Sequence, residues 1–182
     1  MKTTIISFCI LLFSQITGGQ DRYMTREGRI TFYSHTIVED ITAINENVGA
    51  VIDTKKGAVA IIVPMNEFQF KIKLMQEHFN ENYVESEIYP KGTFSGIISG
   101  IRESDYQTSG DYQVSVKGEM TIHGISRKVS TDGVIEIREN SLTARTKFLL
   151  NPEDYGIKIP RVVRKNIAEK MEITAVLVCD PM

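Results

Sequence analysis

Apolar and polar residues alternate with a period of two along most of the chain. The clearest example is YQVSVKGEMTI, in which every second residue from Tyr112 to Ile122 is apolar or glycine. A period of two sends successive side chains to opposite faces of a sheet, so this segment predicts a strand with one buried face. The segments SRKVSTDGVIEIRE, SLTARTKFLLN and EKMEITAVLVC repeat the pattern. They predict that the C-terminal half is a meander of antiparallel strands.

The N-terminal half contains similar but less regular segments, namely GRITFYSH, DITAINE, AVIDTKKGAVAIIVPM and GTFSGIISGIRE. In the third of these, the triplet ending at Gly57 predicts a turn, and Pro64 predicts the end of a strand. About eight strands result. An open sheet of that width would leave unpaired edges, so it either closes into a barrel or splits into two sheets. We predict closure, which gives an all-β fold, an eight-stranded antiparallel barrel.

One long connection breaks the alternation. In KIKLMQEHFNENYVES the apolar residues share one helical stripe: Leu74, Met75, Phe79 and Tyr83. Glu77, Glu81 and Glu85 follow a second stripe, and like charges at that spacing are tolerable only in water. We therefore predict a short helix around residues 71–86, whose apolar side covers one mouth of the barrel.

The interior of such a barrel has two interpretations. The inward positions include large residues and small ones: Phe32, Phe70, Phe94, Met120 and Phe148, with Gly96, Gly100, Gly118 and Ala144 among them. An eight-stranded barrel is just wide enough to be filled by side chains or to hold one slender ligand. A packed core and an apolar tunnel are both consistent with the pattern.

The first nineteen residues differ from the rest of the chain. Lys2 is the only charged residue before Asp21, and IISFCILLF is a continuous apolar run. This pattern predicts a signal peptide at residues 1–19, too short to span a bilayer, and a single domain at residues 20–182. The expected location of the mature protein is the periplasm, or the outside of the cell. Cys9 would leave with the signal, and Cys179 would remain alone and buried in the last strand.

Composition and the absence of known motifs argue against nucleic-acid binding, catalysis and metal binding. The chain has 182 residues with a net charge of −2, which gives no reason to expect nucleic-acid binding. It contains no nucleophile elbow, phosphate loop or zinc-protease motif. His78 shares a helical face with Glu81, but a metal site needs a third protein ligand. We therefore predict no catalytic residue, metal site or cofactor, with a His78/Glu81 metal-dependent enzyme as the minor alternative.

Three segments, in order, resemble motifs of a known family. HFNENYVESEIYPKGTFSGII is similar to a helix-to-strand signature in which a histidine, here His78, precedes Tyr-Pro and a strand with an aromatic such as Phe94. GEMTIHGISRKV is similar to a hairpin motif, with Met120 and Ser126 in place of leucine and threonine. NPEDYGIKIP resembles the segment before the last strand. Over residues 28–177 the chain thus resembles the YceI-like, lipocalin-like polyisoprenoid-binding family.

The resemblance implies an exported lipocalin-like barrel that holds a long-chain isoprenoid lipid or isoprenoid quinone in its lumen without catalysis. The predicted lumen residues are Phe32, Phe70, Phe79, Phe94, Ile98, Val114, Val116, Met120, Ile122 and Phe148. A charged headgroup would stay at the mouth, where the long connections supply Tyr83, Tyr89, Arg161 and Arg164. The alternative is a binder of another small apolar molecule, or an accessory protein in periplasmic stress response or membrane redox systems. A homodimer is expected if incomplete closure exposes a sheet edge.

Overall fold

The computed structural model describes residues 21–139 and 141–182. Strands occupy most of this part of the chain: β1 Arg22–His35, β2 Asp40–Asp53, β3 Ala58–Pro64, β4 Gln69–Phe70, β5 Lys91–Ser99, β6 Gly110–Ile122, β7 Ile125–Arg138, β8 Ser141–Leu150 and β9 Met171–Pro181. The helical segments are short: α1 Lys73–His78, the π-helical turn Phe79–Tyr83 that continues it, and 3-10 turns at Met65–Glu67, Glu103–Gln107 and Pro152–Tyr155. The predicted signal peptide at residues 1–19 lies outside the described residues, so the domain boundary stays a prediction.

The strands close into a barrel. Neighbours follow in the order β1-β9-β8-β7-β6-β5-β3-β2, and β2 pairs again with β1. All of these pairings are antiparallel. The two-residue strand β4 pairs with β2, where Phe70 lies beside Ala43. The eight long strands confirm the predicted barrel. Each of them is paired on both sides over at least part of its length. The homodimer stays an untested prediction.

Strand β2 explains why the N-terminal pattern is less regular. Its most buried residues are Ala43, Asn45, Val48, Ala50 and Ile52. The register with β1 shifts between the second and third of these, since Ile30 pairs with Asn45 but Gly28 pairs with Val48. An extra residue at a bulge reverses which positions face inward. One continuous strand therefore covers DITAINE and the start of AVIDTKKG, two segments that the alternation alone separates.

Asn45 is a polar residue that is fully buried in the barrel. Its Nδ2 donates a hydrogen bond to the Pro64 carbonyl at 2.7 Å, and its Oδ1 accepts one from the Asn47 N–H at 2.8 Å. A buried amide without partners would cost roughly 1–3 kcal/mol. With its partners in place, Asn45 ties the bulge of β2 to the end of β3.

Strands β7 and β8 are paired along only part of their length. Their backbone pairing stops at Gly133 and Thr146. There, the Thr146 hydroxyl donates to the Asp132 carbonyl at 2.7 Å and lies 3.0 Å from the Thr131 hydroxyl. Beyond this point β7 stays paired with β6, and β8 stays paired with β9. The wall of the barrel therefore flares between β7 and β8.

The two ends of the barrel are built differently. We call the end near the β2–β3 turn the base, and the end near α1 and residues 151–170 the mouth. At the base, Tyr106 from the turn Glu103–Gln107 is buried with Ile137, Leu142 and Cys179 in one apolar cluster. A second cluster lies toward the mouth and contains Phe32, Ala43, Met65, Phe68, Val84, Tyr155 and Ile157. The interior between these clusters forms the candidate site.

Candidate functional site

A cavity of about 400 Å³ occupies the interior of the barrel. Its lining is almost entirely apolar. Ligand pockets in proteins are typically roughly 300–1,000 Å³ in volume and mostly apolar. Of the two interpretations that the sequence leaves open, the apolar hollow describes most of the barrel, and the packed core describes its base.

All ten residues predicted for the lumen line this cavity. They come from five strands and the π-helical turn: Phe32, Phe70, Phe79, Phe94, Ile98, Val114, Val116, Met120, Ile122 and Phe148. Strands β2, β3, β7 and β9 add lining residues that the sequence prediction did not include, among them Ile52, Val59, Val129 and Ile173. The placement follows from the alternation of each strand. Contact of these side chains with a ligand stays a prediction.

A glycine pair positions one of these residues. Gly96 on β5 pairs with Gly118 on β6, and the Phe94 ring lies over both. A Cβ atom on Gly118 would lie 2.8 Å from Phe94 Cζ and 2.2 Å from the Ser95 carbonyl oxygen, too close for any side chain. The two glycines therefore let the Phe94 ring lie along the wall, which keeps the lumen open.

Four phenylalanine rings gather at the mouth and form what we call the aromatic lid: Phe32, Phe68, Phe70 and Phe79. Their contacting ring centroids lie 5.1 to 5.8 Å apart, in tilted or edge-on arrangements. Such pairs add to the stabilisation that burial alone gives. The sequence prediction missed Phe68 because it follows a 3-10 turn, where a period of two does not apply.

The short helix lies in the predicted connection, but one residue predicted for its inward face points outward instead. Met75, Phe79 and Tyr83 line the cavity as predicted, whereas Leu74 is 57% exposed and does not help to close the mouth. Successive helical residues are separated by about 100°, so the rotation that turns Met75 inward leaves Leu74 facing outward. Val84, which follows the π-helical turn and is almost fully buried, continues the apolar face instead.

Glu85 also departs from the prediction. It was expected on the solvated acidic stripe of a continuous helix, but the helical segment ends at Tyr83 and Glu85 has a positive φ of 45°. Its carboxylate lies 2.6 Å from His123 Nε2, and His123 Nδ1 lies 3.2 Å from the Tyr155 carbonyl oxygen. His123 lies in the β6–β7 turn. It also connects the end of the helical segment to the turn Pro152–Tyr155.

The predicted mouth residues do not all reach the cavity. Tyr83 lines it, and burial raises the pKa of its hydroxyl, which favours the neutral form. Tyr89 instead packs edge-on against His123, with ring centroids 4.5 Å apart. Arg161 and Arg164 are exposed outside the cavity lining. Contact of these side chains with a headgroup stays untested.

The residues near these arginines explain why they face outward. In residues 160–170 the inward positions belong to Val163, Asn166 and Ile167, which line the cavity. Arg164 pairs with Glu153 at 3.3 Å on the outer side. This segment is neither strand nor helix, so the sequence gives no period from which its inward residues could be inferred.

Polar groups border the cavity in two places. Ser34, Glu39, His78 and Asn166 lie in elements at the mouth, whereas Ser130, Thr131, Arg145 and Thr146 lie where β7 and β8 part. Ser34 Oγ accepts a hydrogen bond from the Ala168 N–H at 2.8 Å, and Asn166 Nδ2 donates to Glu39 at 3.3 Å. These bonds hold residues 166–168 against the β1–β2 loop. Of the four at the mouth, only Ser34, two residues after Phe32, could have been found from alternation.

The base of the barrel has a different chemical character. Burial raises the pKa of the Tyr106 hydroxyl to about 12, and burial likewise raises the pKa of the Cys179 thiol to about 12. Cys179 is fully buried, as the sequence predicted. Both shifts disfavour the ionised forms, in keeping with an apolar seal beneath the cavity.

Residues 21–139 and 141–182 contain no cluster of three or more His, Cys, Asp or Glu side chains arranged to hold a metal ion. His78 borders the cavity and is itself exposed, as are Glu77 and Glu81. Within the same described ranges, no helix combines the length and apolar character that crossing a bilayer requires.

Comparison with known families identifies the barrel. A family model described as the YceI-like domain matches residues 22–179. The chain belongs to the YceI-like family. The resemblance inferred from the three sequence motifs is thereby confirmed. No curated protein sequence matches the chain.

Solved structures of similar fold agree with this assignment. A polyisoprenoid binding domain from Saccharophagus degradans, implicated in plant cell wall breakdown, superposes with a TM-score of 0.76 at 14% identity, covering 89% of this chain and 99% of that one. Burkholderia cenocepacia BcnA gives a TM-score of 0.70 at 14% identity, with 83% and 95% coverage. The Campylobacter jejuni YceI protein gives 0.61 at 11% identity, with 76% and 83% coverage. At these identities the likeness concerns the fold of the YceI-like barrel.

Proposed function

We propose that this YceI-like protein binds a long, slender apolar molecule of the polyisoprenoid or isoprenoid quinone class in its lumen and catalyses no reaction on it. The observation that carries the proposal is the apolar cavity of about 400 Å³ between the aromatic lid and the base. The polyisoprenoid binding domain of similar fold supports the choice of ligand class. Export to the periplasm is part of the proposal and rests on the apolar run in residues 1–19.

The energetics of such binding are favourable. Each methylene-sized group moved from water into the cavity contributes about 0.8 kcal/mol. A micromolar dissociation constant corresponds to about 8 kcal/mol, so on the order of ten buried groups suffice before the cost of ordering the chain is subtracted. A polar headgroup would remain at the mouth, where Ser34, Glu39, Tyr83 and Asn166 border the cavity.

The first test is to identify what the protein carries. Mature protein purified from its native host is extracted with organic solvent, and the extract is analysed by mass spectrometry. We expect a stoichiometric prenyl lipid or isoprenoid quinone. Another apolar compound in stoichiometric amount would overturn the ligand class, and a stoichiometric metal ion with no lipid would favour the His78-based enzyme.

A matched pair of variants tests the place of binding. Val116 lines the cavity, whereas Val178 is half-exposed on β9 outside it. Val116→Asp puts a carboxylate beside the apolar chain and should weaken binding of a fluorescent polyene probe by tenfold or more, since burying a charge there is costly. Val178→Asp should bind as the parent protein does. Equal affinity of both variants, each shown to be folded by circular dichroism, would place the ligand elsewhere.

A further inference from the structure

Several exposed apolar side chains, including the two most exposed, lie around the mouth of the barrel. Ile37 is fully exposed and Val162 is 82% exposed. Three more exposed apolar residues accompany them: Val38, Ile72 and Leu74. These five residues belong to three separate segments, the β1–β2 loop, the start of the helical connection and residues 160–170. Each segment also supplies residues that line the cavity, such as Glu39, Met75 and Val163.

The β1–β2 loop shows that these side chains are not merely surplus strand residues. Ile37 and Val38 occupy the tip of a hairpin whose ends are joined by hydrogen bonds between Thr36 and Glu39. Tips of this kind usually carry Gly, Asn, Asp or Ser, which suit the backbone of a turn and contact with water. Ile37 and Val38 suit neither the backbone of a turn nor contact with water, because both are β-branched and aliphatic. Exposed apolar residues at such a site mark contact with another apolar phase or partner.

Two of the three segments are basic, although the protein as a whole is acidic and the β1–β2 loop itself ends in Glu39 and Asp40. Residues 71–74 and 158–170 contain seven Lys or Arg residues and one carboxylate, Glu169, while the whole chain has a net charge of −2. The basic residues are Lys71, Lys73, Lys158, Arg161, Arg164, Lys165 and Lys170. Arg164 is paired with Glu153, and acidic Glu77 and Glu81 follow further along the helical segment. Positive charge therefore flanks Ile72, Leu74 and Val162 among the exposed apolar tips.

We propose that the mouth of this barrel docks on the surface of an anionic lipid bilayer. Ile37, Val162 and the neighbouring apolar tips would enter the boundary between headgroups and acyl chains, while the flanking Lys and Arg residues would face lipid phosphates. Peripheral proteins bind membranes by this combination of apolar insertion and attraction to anionic lipid. Tips on three separate loops fit a fluid bilayer better than one flat protein interface, because lipids rearrange around uneven projections.

Docking in this orientation serves the proposed function, on which this inference builds. The aromatic lid adjoins two of these segments, because Phe32 lies on β1, which leads into the β1–β2 loop, and Phe70 and Phe79 flank α1. With the mouth against acyl chains, an apolar ligand could pass between bilayer and cavity without exposure to water, which is the costly step for such a molecule.

Vesicle cosedimentation of the mature protein tests the proposal. Two vesicle compositions are compared, phosphatidylcholine alone and an equal mixture of phosphatidylcholine and phosphatidylglycerol. We expect strong partitioning only onto the mixed vesicles, decreasing as ionic strength is raised from roughly 0.1 to 1 M. The double variant Ile37→Ser/Val162→Ser should lower the partition coefficient by tenfold or more. Lys71→Gln/Lys73→Gln should lower it by roughly fivefold for each lysine removed, on the mixed vesicles.

The control variant carries the same kind of substitution on the outer wall. Val51 and Val178 are exposed apolar residues on β2 and β9, away from the three loops. Val51→Ser/Val178→Ser should partition as the parent protein does. Equal losses in this control and in Ile37→Ser/Val162→Ser would overturn the docking orientation. Failure of the parent protein to bind either kind of vesicle would overturn the docking itself and favour a protein partner for the tips.

The ligand assays separate this inference from the proposed function. If the protein yields an extractable prenyl lipid but never binds the mixed vesicles, docking is wrong and the carrier function stands. If it binds the vesicles as described but holds no apolar ligand, docking stands and the carrier function is wrong.

Discussion

The base and the upper part of the barrel are built from the same strands, yet one is packed and the other is hollow. Leu142 and Phe148 illustrate the contrast, because both face inward on β8. Leu142 is fully buried in the base cluster, whereas Phe148 lines the cavity. The difference comes from the connections. The turn Glu103–Gln107 inserts Tyr106 into the base, while the helical connection places the aromatic lid across the opposite end.

This contrast shows what a period of two can and cannot specify. Alternation determines which side chains face the interior, and it does so equally at both ends. Whether those side chains meet depends on a residue contributed from outside the strands, such as Tyr106. The volume of the interior is therefore encoded in the connections as much as in the strands.

The largest expected effect on stability comes from truncating one inward side chain in each region. Leu142→Ala should lower the free energy of unfolding by roughly 2–5 kcal/mol, because it leaves a void in a packed cluster. Phe148→Ala should cost less, although it removes a larger side chain, since that side chain already borders empty space. Urea denaturation of ligand-free protein measures both values. A cost for Phe148→Ala equal to or above that of Leu142→Ala would mean that the upper interior is packed as well.

Enlarging side chains probes the same contrast in the opposite sense. Ile137→Phe overfills the base and should lower the free energy of unfolding by roughly 1–3 kcal/mol. Val116→Phe extends into the cavity and should change that free energy by less than about 0.5 kcal/mol, while it weakens binding of the polyene probe. Denaturation and probe titration of both variants give the comparison. Unchanged probe affinity in Val116→Phe would contradict binding in the lumen.

The smallest effect concerns pH and is confined to the base. The pKa of the Cys179 thiol rises from an ordinary 9.0 to about 12 in the folded protein, so the folded state retains this proton where the unfolded state loses it. Stability from this group is therefore complete below pH 9 and declines as the pH rises from 9 toward 12. At pH 10 the loss is about 1 kcal/mol.

The variant Cys179→Val removes this thiol and serves as the reference. Urea denaturation at neutral pH and at pH 10 should show a smaller decrease for the variant than for the parent protein. Identical decreases would mean that the thiol is accessible in the folded state, which would contradict a sealed base.

The strands and the inward residues could be predicted from the sequence because successive side chains of a strand point to opposite faces of the sheet. Strand β6 follows the rule throughout, and Val114, Val116 and Met120 reach the cavity as predicted. Strand β2 departs from the alternation at its bulge. There Asn45 is buried and hydrogen-bonded, and the local sequence pattern does not predict this. Strand β1 begins at Arg22, six residues before its apolar alternation becomes recognisable at Gly28.

The mouth could be predicted only in part, because its segments have no regular period. The helical stripe identified Met75, Phe79 and Tyr83 but wrongly included Leu74, since the rotation of a short helix depends on where it begins. The arginines at 161 and 164 were selected for their charge and position in a long connection. Their outward direction is determined by the inward packing of Val163 and its neighbours, a tertiary effect.

The unpaired stretch between β7 and β8 has a consequence for what the lumen can accept. A continuous ladder of backbone hydrogen bonds between β7 and β8 would fix the circumference of the barrel. Widening the barrel there would then break several of those bonds at once. Where Gly133 and Thr146 end the ladder, Val129 and Phe148 can separate by moving side chains alone. A chain with methyl branches at intervals varies in thickness along its length. If the lumen binds the proposed isoprenoid, this seam would give the barrel a place to widen for each methyl branch.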